Sequence, residues 1–210
     1  MRTAIASSAL LSALIRSKGT KVNKLILTDC DGVLLDWGKT FEEWMLIRGF
    51  PKLRDDSYNV HDCYGLEYSE SKKMTRMFNN SSACGFLEHF RDSKHYVRRL
   101  HEEHGYKFRV ITSFSLDPWS IRLREKNLKH IFGDAIESVV SLDTGAAKDE
   151  ALAPYKDSGL FWIDDKPSNI ESGLQVGLQC ILVNHDHNKD DKQCTHWRVE
   201  TWKQIYDIIV

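Results

Sequence analysis

Short apolar runs recur along this chain, each ending in a polar residue, with stretches of helical periodicity between them. The first run is Lys24-Leu-Ile-Leu-Thr-Asp29, closed by the turn residues Asp31 and Gly32. Others lie at 108–111, 138–141, 160–163 and 180–183. Runs this short and apolar throughout suit parallel strands covered on both faces. Tyr96, Val97, Leu100 and His104 recur at helical spacing, so the pattern predicts a helix over 92–104, closed by Gly105. Further helices are predicted over 118–129, 148–156, 167–176 and 201–209, with Pro118 and Pro167 placed for first turns. Strands alternating with helices in this way predict an α/β fold, a doubly wound, parallel five-stranded sheet with right-handed crossovers.

The rhythm breaks between the first strand and the helix at 92. Helical patterns appear at 41–47 and 69–78, but residues 50–85 are mostly polar and carry Pro51, Asp55, Asp56, Asn79, Asn80 and Gly85. The chain therefore divides into an N-terminal extension (1–22), a core (23–36 and 90–210) and a small, mainly helical cap (37–89) inserted after the first strand.

Bulk properties narrow the function. At 210 residues the chain suits one domain with a modest insertion. The formal net charge of −1 offers no basic surplus for a nucleic-acid polymer. No run approaches the roughly 18 apolar residues that a membrane span needs. Cys30, Cys63, Cys84, Cys180 and Cys194 are odd in number and scattered, which suits reduced thiols in a cytoplasmic compartment. Residues 1–28 hold no acid but several Arg, Lys and Ser residues, so organelle targeting through 1–22 is the alternative.

Doubly wound sheets bind ligands at the carboxyl ends of their strands. Asp29 and Asp31 follow the first strand, Thr112 and Ser113 the second, and Asp164 and Asp165 the fourth, while Lys148 opens the helix after the third. Each has a plainer reading alone, as turn, cap or surface residue. Together, in order and at strand ends, they are a poor structural set, because clustered carboxylates repel unless a cation neutralises them. They suit Mg2+ with a substrate phosphate. A carboxylate can attack phosphorus once charge is screened, and a second carboxyl two residues on can transfer the proton.

The segment Leu25-Ile-Leu-Thr-Asp29-Cys-Asp31-Gly32-Val33-Leu34 resembles the first motif of the haloacid dehalogenase-like superfamily. Val110-Ile-Thr112-Ser113 resembles the second motif, Lys148 the third, and Trp162-Ile-Asp164-Asp165 the fourth. The resemblance implies a Rossmann-like core and a Mg2+-dependent phosphohydrolase. Asp29 would be the nucleophile and Asp31 the general acid and base. Thr112, Ser113 and Lys148 would bind the phosphoryl group. Asp29, Asp164 and Asp165, with the backbone carbonyl of Asp31, would form the metal site. Lys166 competes with Lys148 as the third-motif lysine. Gly85-Phe86-Leu87 and Asp117-Pro118 are similar to the 5'(3')-deoxyribonucleotidases, implying a small phosphorylated metabolite, a nucleotide among the candidates, as the partner. A phosphotransferase or mutase, or a protein that binds phosphate without turnover, would use the same constellation.

Two groups lie outside these motifs. Trp37, Phe41 and Trp44 stand at the root of the insert, where they could contact a base or sugar or else pack the cap on the core. His185, His187, Cys194 and His196 are irregularly spaced and read as a surface loop rather than a metal site.

Overall fold

The computed structural model describes residues 24–189, 192 and 195–210. The extension at 1–22 and Cys194 of the histidine loop lie outside them. Six strands form one sheet: β1 Leu25–Thr28, β2 Lys107–Ser113, β3 Ile136–Leu142, β4 Phe161–Asp164, β5 Gln179–Val183 and β6 Trp197–Val199. Their order is β3-β2-β1-β4-β5-β6, and every pairing is parallel. The expected five-strand sheet is thus corrected to six. The sixth strand is three residues long, sits at the edge and carries Arg198 at its centre, so it shows no apolar run.

β1 lies between β2 and β4, where the strand order reverses. This is the topological switch point, and the crevice outside its carboxyl ends is where such sheets bind ligands. Strand periodicity sorts side chains between two apolar clusters, one on each face. Ile26, Phe108, Val110, Ile163 and Ile181 belong to one, and Leu27, Ile111, Trp162, Cys180 and Leu182 to the other.

The helices are α1 Trp37–Leu46, α2 Val60–Tyr64, α3 Tyr68–Asn79, α4 Ser93–His104, α5 Pro118–Phe132, α6 Asp149–Leu152, α7 Pro167–Gln175 and α8 Trp202–Ile209. Local chemistry sets several starts. The Asp117 carboxylate accepts from Ser120 N at the head of α5, and Thr201 with Gln204 forms a capping box on α8. The helix predicted over 148–156 is shorter than expected: α6 ends at Leu152 and a 3-10 turn, Ala153–Tyr155, follows. Pro154 lacks the N–H an α-helix would use there. No helix among the described residues is long and apolar enough to cross a membrane.

Segment 37–89 holds α1, α2 and α3. It leaves and rejoins the rest of the chain through adjacent backbone, where Asp36 N donates to Glu88 O at 2.9 Å and Phe90 N to Leu34 O at 2.8 Å. Its apolar side chains merge with those of the core in one cluster. Phe41 stacks on Trp37 at 4.4 Å, and the Phe78 ring meets Trp37, Phe41 and Trp44 edge-on at 5.4, 5.3 and 5.6 Å. Phe41 is 2% exposed. Phe41→Ala should therefore cost about 3–5 kcal/mol of stability. Urea denaturation checks this, and a loss below about 1 kcal/mol would show that the cluster collapses around the gap.

Candidate active site

Asp29 follows the last residue of β1, in the centre of the sheet, so its position is set by pairing on both sides: its own N–H donates to Ile163 O of β4 at 2.8 Å. The chain then turns tightly, with the amides of Leu34 and Leu35 both donating to Cys30 O at 2.8 and 2.9 Å. Gly32 takes a φ of +75° in this turn, and a Cβ there would lie 2.6 Å from Asp165 Oδ2. Gly32→Ala should lower the melting temperature by roughly 2–8 °C from the left-handed backbone alone. Displacement of Asp165 should lower any rate this rim supports. An unchanged melting curve and rate would refute this assignment of the turn.

β4 delivers Asp164 and Asp165 beside Asp29. One carboxylate oxygen from each of the three can lie within 4.8 Å of the others. Lys148, the residue before α6, reaches into this group. Its ammonium is 2.8 Å from Asp29 Oδ1 and 2.8 Å from Asp164 Oδ2, and it is 1% exposed. Lys166, the alternative lysine, lies instead over the Tyr58 ring at 5.2 Å. Asp164 is saturated further, accepting from Lys166 N at 2.8 Å and from Asn169 Nδ2. Asp165 has looser company: His185 Nε2 and His187 Nε2 stand 3.7 and 3.8 Å from its Oδ2.

The electrostatics follow from this crowding. Burial pushes the Asp29 carboxyl up to about 7 against the pull of Lys148, with Asp164 and Asp31 adding to the rise. Burial, with Asp164 and Asp29 adding to it, holds Asp165 well above its ordinary range. Burial works against the charge of Lys148, yet Asp164 and Asp29 outweigh it and hold the ammonium protonated. Three carboxylates thus face one ammonium. A divalent cation would bring the cluster to neutrality, and hard oxygen donors are what Mg2+ takes. The donor set fits Mg2+ through Asp29 and Asp165, with Asp164 occupied in holding Lys148.

No family model matches the chain, and no curated protein matches it. Solved structures do. A haloacid dehalogenase-like family hydrolase from Streptococcus pneumoniae is 13% identical, over 89% of this chain and 98% of its own, with a TM-score of 0.62. The fold is the haloacid dehalogenase-like fold. A Lactobacillus plantarum protein assigned as a phosphoglycolate phosphatase shares it at 14% identity over 89% and 99% of the two chains, TM-score 0.59. A Bacteroides vulgatus protein assigned as a β-phosphoglucomutase does so at 18% identity over 94% and 92%, TM-score 0.54.

In this chain the rim opens into a cavity of about 540 Å³, lined by Asp29, Asp31, Thr112, Ser113, Lys148 and Asp165 among others. Ser113 Oγ donates to Ala146 O at 2.7 Å, tying β2 to the loop before Lys148, so its proton is engaged. Thr112 is 1% exposed and lies on the cavity wall. Trp37 and Phe41 also line the cavity, whereas Trp44 does not and instead carries the Arg48 guanidinium on its ring at 3.6 Å. Asp31 stands apart from the three clustered carboxylates, because its side chain pairs with Arg124 of α5.

Three residues at or beneath this rim belong to none of the motifs read in the sequence. His185 and His187 lie in the loop after β5, as expected, but are partly buried and turned toward Asp165. They stack on one another at 5.0 Å and line the cavity beside Asp165, and His185 Nε2 is 2.8 Å from Gly32 O. His196 is turned away, its Nδ1 accepting from Cys180 N at 3.0 Å. Arg124 sits on the inner face of α5, where a helical pattern implies an apolar residue. A lone arginine at an apolar helical position was the available signal for it.

Proposed function

We propose that the chain is a phosphohydrolase that removes the phosphoryl group from a small phosphomonoester through a covalent intermediate on Asp29. The observation that carries this is the pairing of Asp29 with a fully buried Lys148 inside a surplus of carboxylates, at the open switch point of the sheet. Phosphate-handling assignments among proteins of the same fold support it.

When bound at Asp29 and Asp165, Mg2+ would screen the negative charges that carboxylate and phosphate bring together. The protein's own residues do the rest. A carboxylate oxygen of Asp29 attacks phosphorus, and the bond from phosphorus to the ester oxygen breaks. Asp31, which lines the cavity, gives a proton to the departing oxygen. Water then attacks the aspartyl phosphate and loses its proton to Asp31, which releases inorganic phosphate and restores the Asp29 carboxylate. Lys148 and the Thr112 hydroxyl stabilise the oxygens on which charge develops.

Segment 37–89 acts in this proposal as a cap. Trp37 and Phe41 place aromatic surface on the cavity, together with Tyr58, Tyr64 and Tyr68 from the same segment. Such a wall suits the base or sugar of a nucleotide, and nucleoside monophosphates and deoxynucleotides head the substrates to be tested.

The experiment is a panel of phosphorylated metabolites with Mg2+, read by phosphate release. Turnover should need the ion and stop in excess EDTA, with the protein still folded, because a core of this size stands without metal. Full activity in EDTA would end the metal assignment. Phosphoryl transfer to an added alcohol in place of release would make the protein a transferase, and binding without either product would make it a phosphate sensor.

A further inference from the structure

Arg124 projects from α5 into the interior beneath the catalytic turn. It is 1% exposed and shares the buried face of α5 with Leu128 and Ile131, so a leucine or methionine would suit the site's packing. Its Nη1 donates to Asp31 Oδ1 and also lies 3.2 Å from Cys30 Sγ, and its guanidinium rests on the Phe114 ring at 4.2 Å. Nε and Nη2 are buried and have no hydrogen-bond partner among the described residues. A buried cation left half-satisfied is a poor stabilising device, and well-packed apolar side chains commonly do better in such places. What Arg124 achieves is to hold one carboxylate. Asp31 is anchored from inside through Oδ1, while its side chain remains 24% exposed and lines the cavity.

We infer that Arg124 is a positioning residue that fixes the direction of the Asp31 carboxylate toward the leaving group and the attacking water. It does not line the cavity and acts wholly through Asp31. The inference rests on the reading of Asp31 as the proton-transfer group, and the two can fail separately.

The test compares Arg124→Met, Asp31→Asn and the double variant, on the alkyl phosphate that the full-length chain turns over fastest with Mg2+. Asp31→Asn should lower kcat about a hundredfold or more. If it does not, the reading of Asp31 fails. Arg124→Met should lower kcat at least about tenfold with KM nearly unchanged, the pattern of an interaction made in the transition state. The double variant should then stay within about twofold of Asp31→Asn, since a residue acting through Asp31 has nothing left to position. Arg124→Lys should recover part of the rate. The first turnover of p-nitrophenyl phosphate, whose leaving group departs without a proton, should stay fast in Arg124→Met. Should Arg124→Met fail to fold, Arg124→Gln takes its place with the same readings. A wild-type kcat on the alkyl phosphate overturns the inference. So do losses that multiply in the double variant, or a first aryl turnover slowed as much as the alkyl rate.

Discussion

Asp29→Asn should stop turnover while leaving the protein folded. The amide has nearly the shape of the carboxylate but cannot carry the phosphoryl group, so the loss should reach about four powers of ten, or ~5.5 kcal/mol of barrier. Stability should move the other way. Asp29 in the metal-free protein is raised to about 7, chiefly by burial. A carboxyl raised on folding binds its proton more tightly in the folded state. Stability is therefore lost as pH rises from the ordinary carboxylate range through 7. Asn stays neutral and escapes that loss, so at pH 7–8 without metal the variant should melt no lower than the native protein. Single-turnover assays and melting curves decide both points. A variant keeping more than about a tenth of the native rate would rule out Asp29 as the covalent nucleophile.

Lys148→Met should fail in both respects. The ammonium is the shared counter-charge of Asp29 and Asp164, at 2.8 Å from each. Removing one member of a buried ion pair leaves an uncompensated charge and costs about 3–5 kcal/mol. The melting temperature should fall by roughly 6–20 °C. Turnover should drop about 10²–10³-fold even where the protein is folded, because a donor aimed at the developing charge is gone. Saturating Mg2+ should recover part of the melting temperature by supplying positive charge to the same carboxylates, but it should not recover the rate. A Lys148→Met protein with native stability and native kcat would remove Lys148 from the site.

Much of this architecture can be read along the chain because it depends on neighbours in sequence. The apolar runs ending at Asp29, Thr112 and Asp164 are strands, for burial on both faces of a parallel sheet demands such runs. Prolines 118 and 167 open helices because their fixed φ suits a first turn. Other features depend on the rest of the molecule and leave no local pattern. β6 forms where β5 offers it an edge to pair with, and its three residues around Arg198 are too few to show a pattern in the sequence. Trp37, Phe41 and Trp44 share one helical pattern, yet only packing decides that two line the cavity and the third lies under Arg48.

The site divides in the same way. Its carboxylates, the Thr112 hydroxyl and the two candidate lysines were legible, since strand ends in a doubly wound sheet converge by topology. The choice of Lys148 over Lys166 was not. It rests on which ammonium reaches Asp29, a distance between segments far apart in sequence. Nor were His185 and His187 beside Asp165, or Arg124 beneath Asp31, since their spacing carries no period that links them to the motifs. The chain by itself determined the fold class and the residues at the strand ends. The tertiary structure alone decided how those residues pair, because a charge paired across 93 residues of chain obeys Coulomb's law in space and leaves no pattern along the sequence.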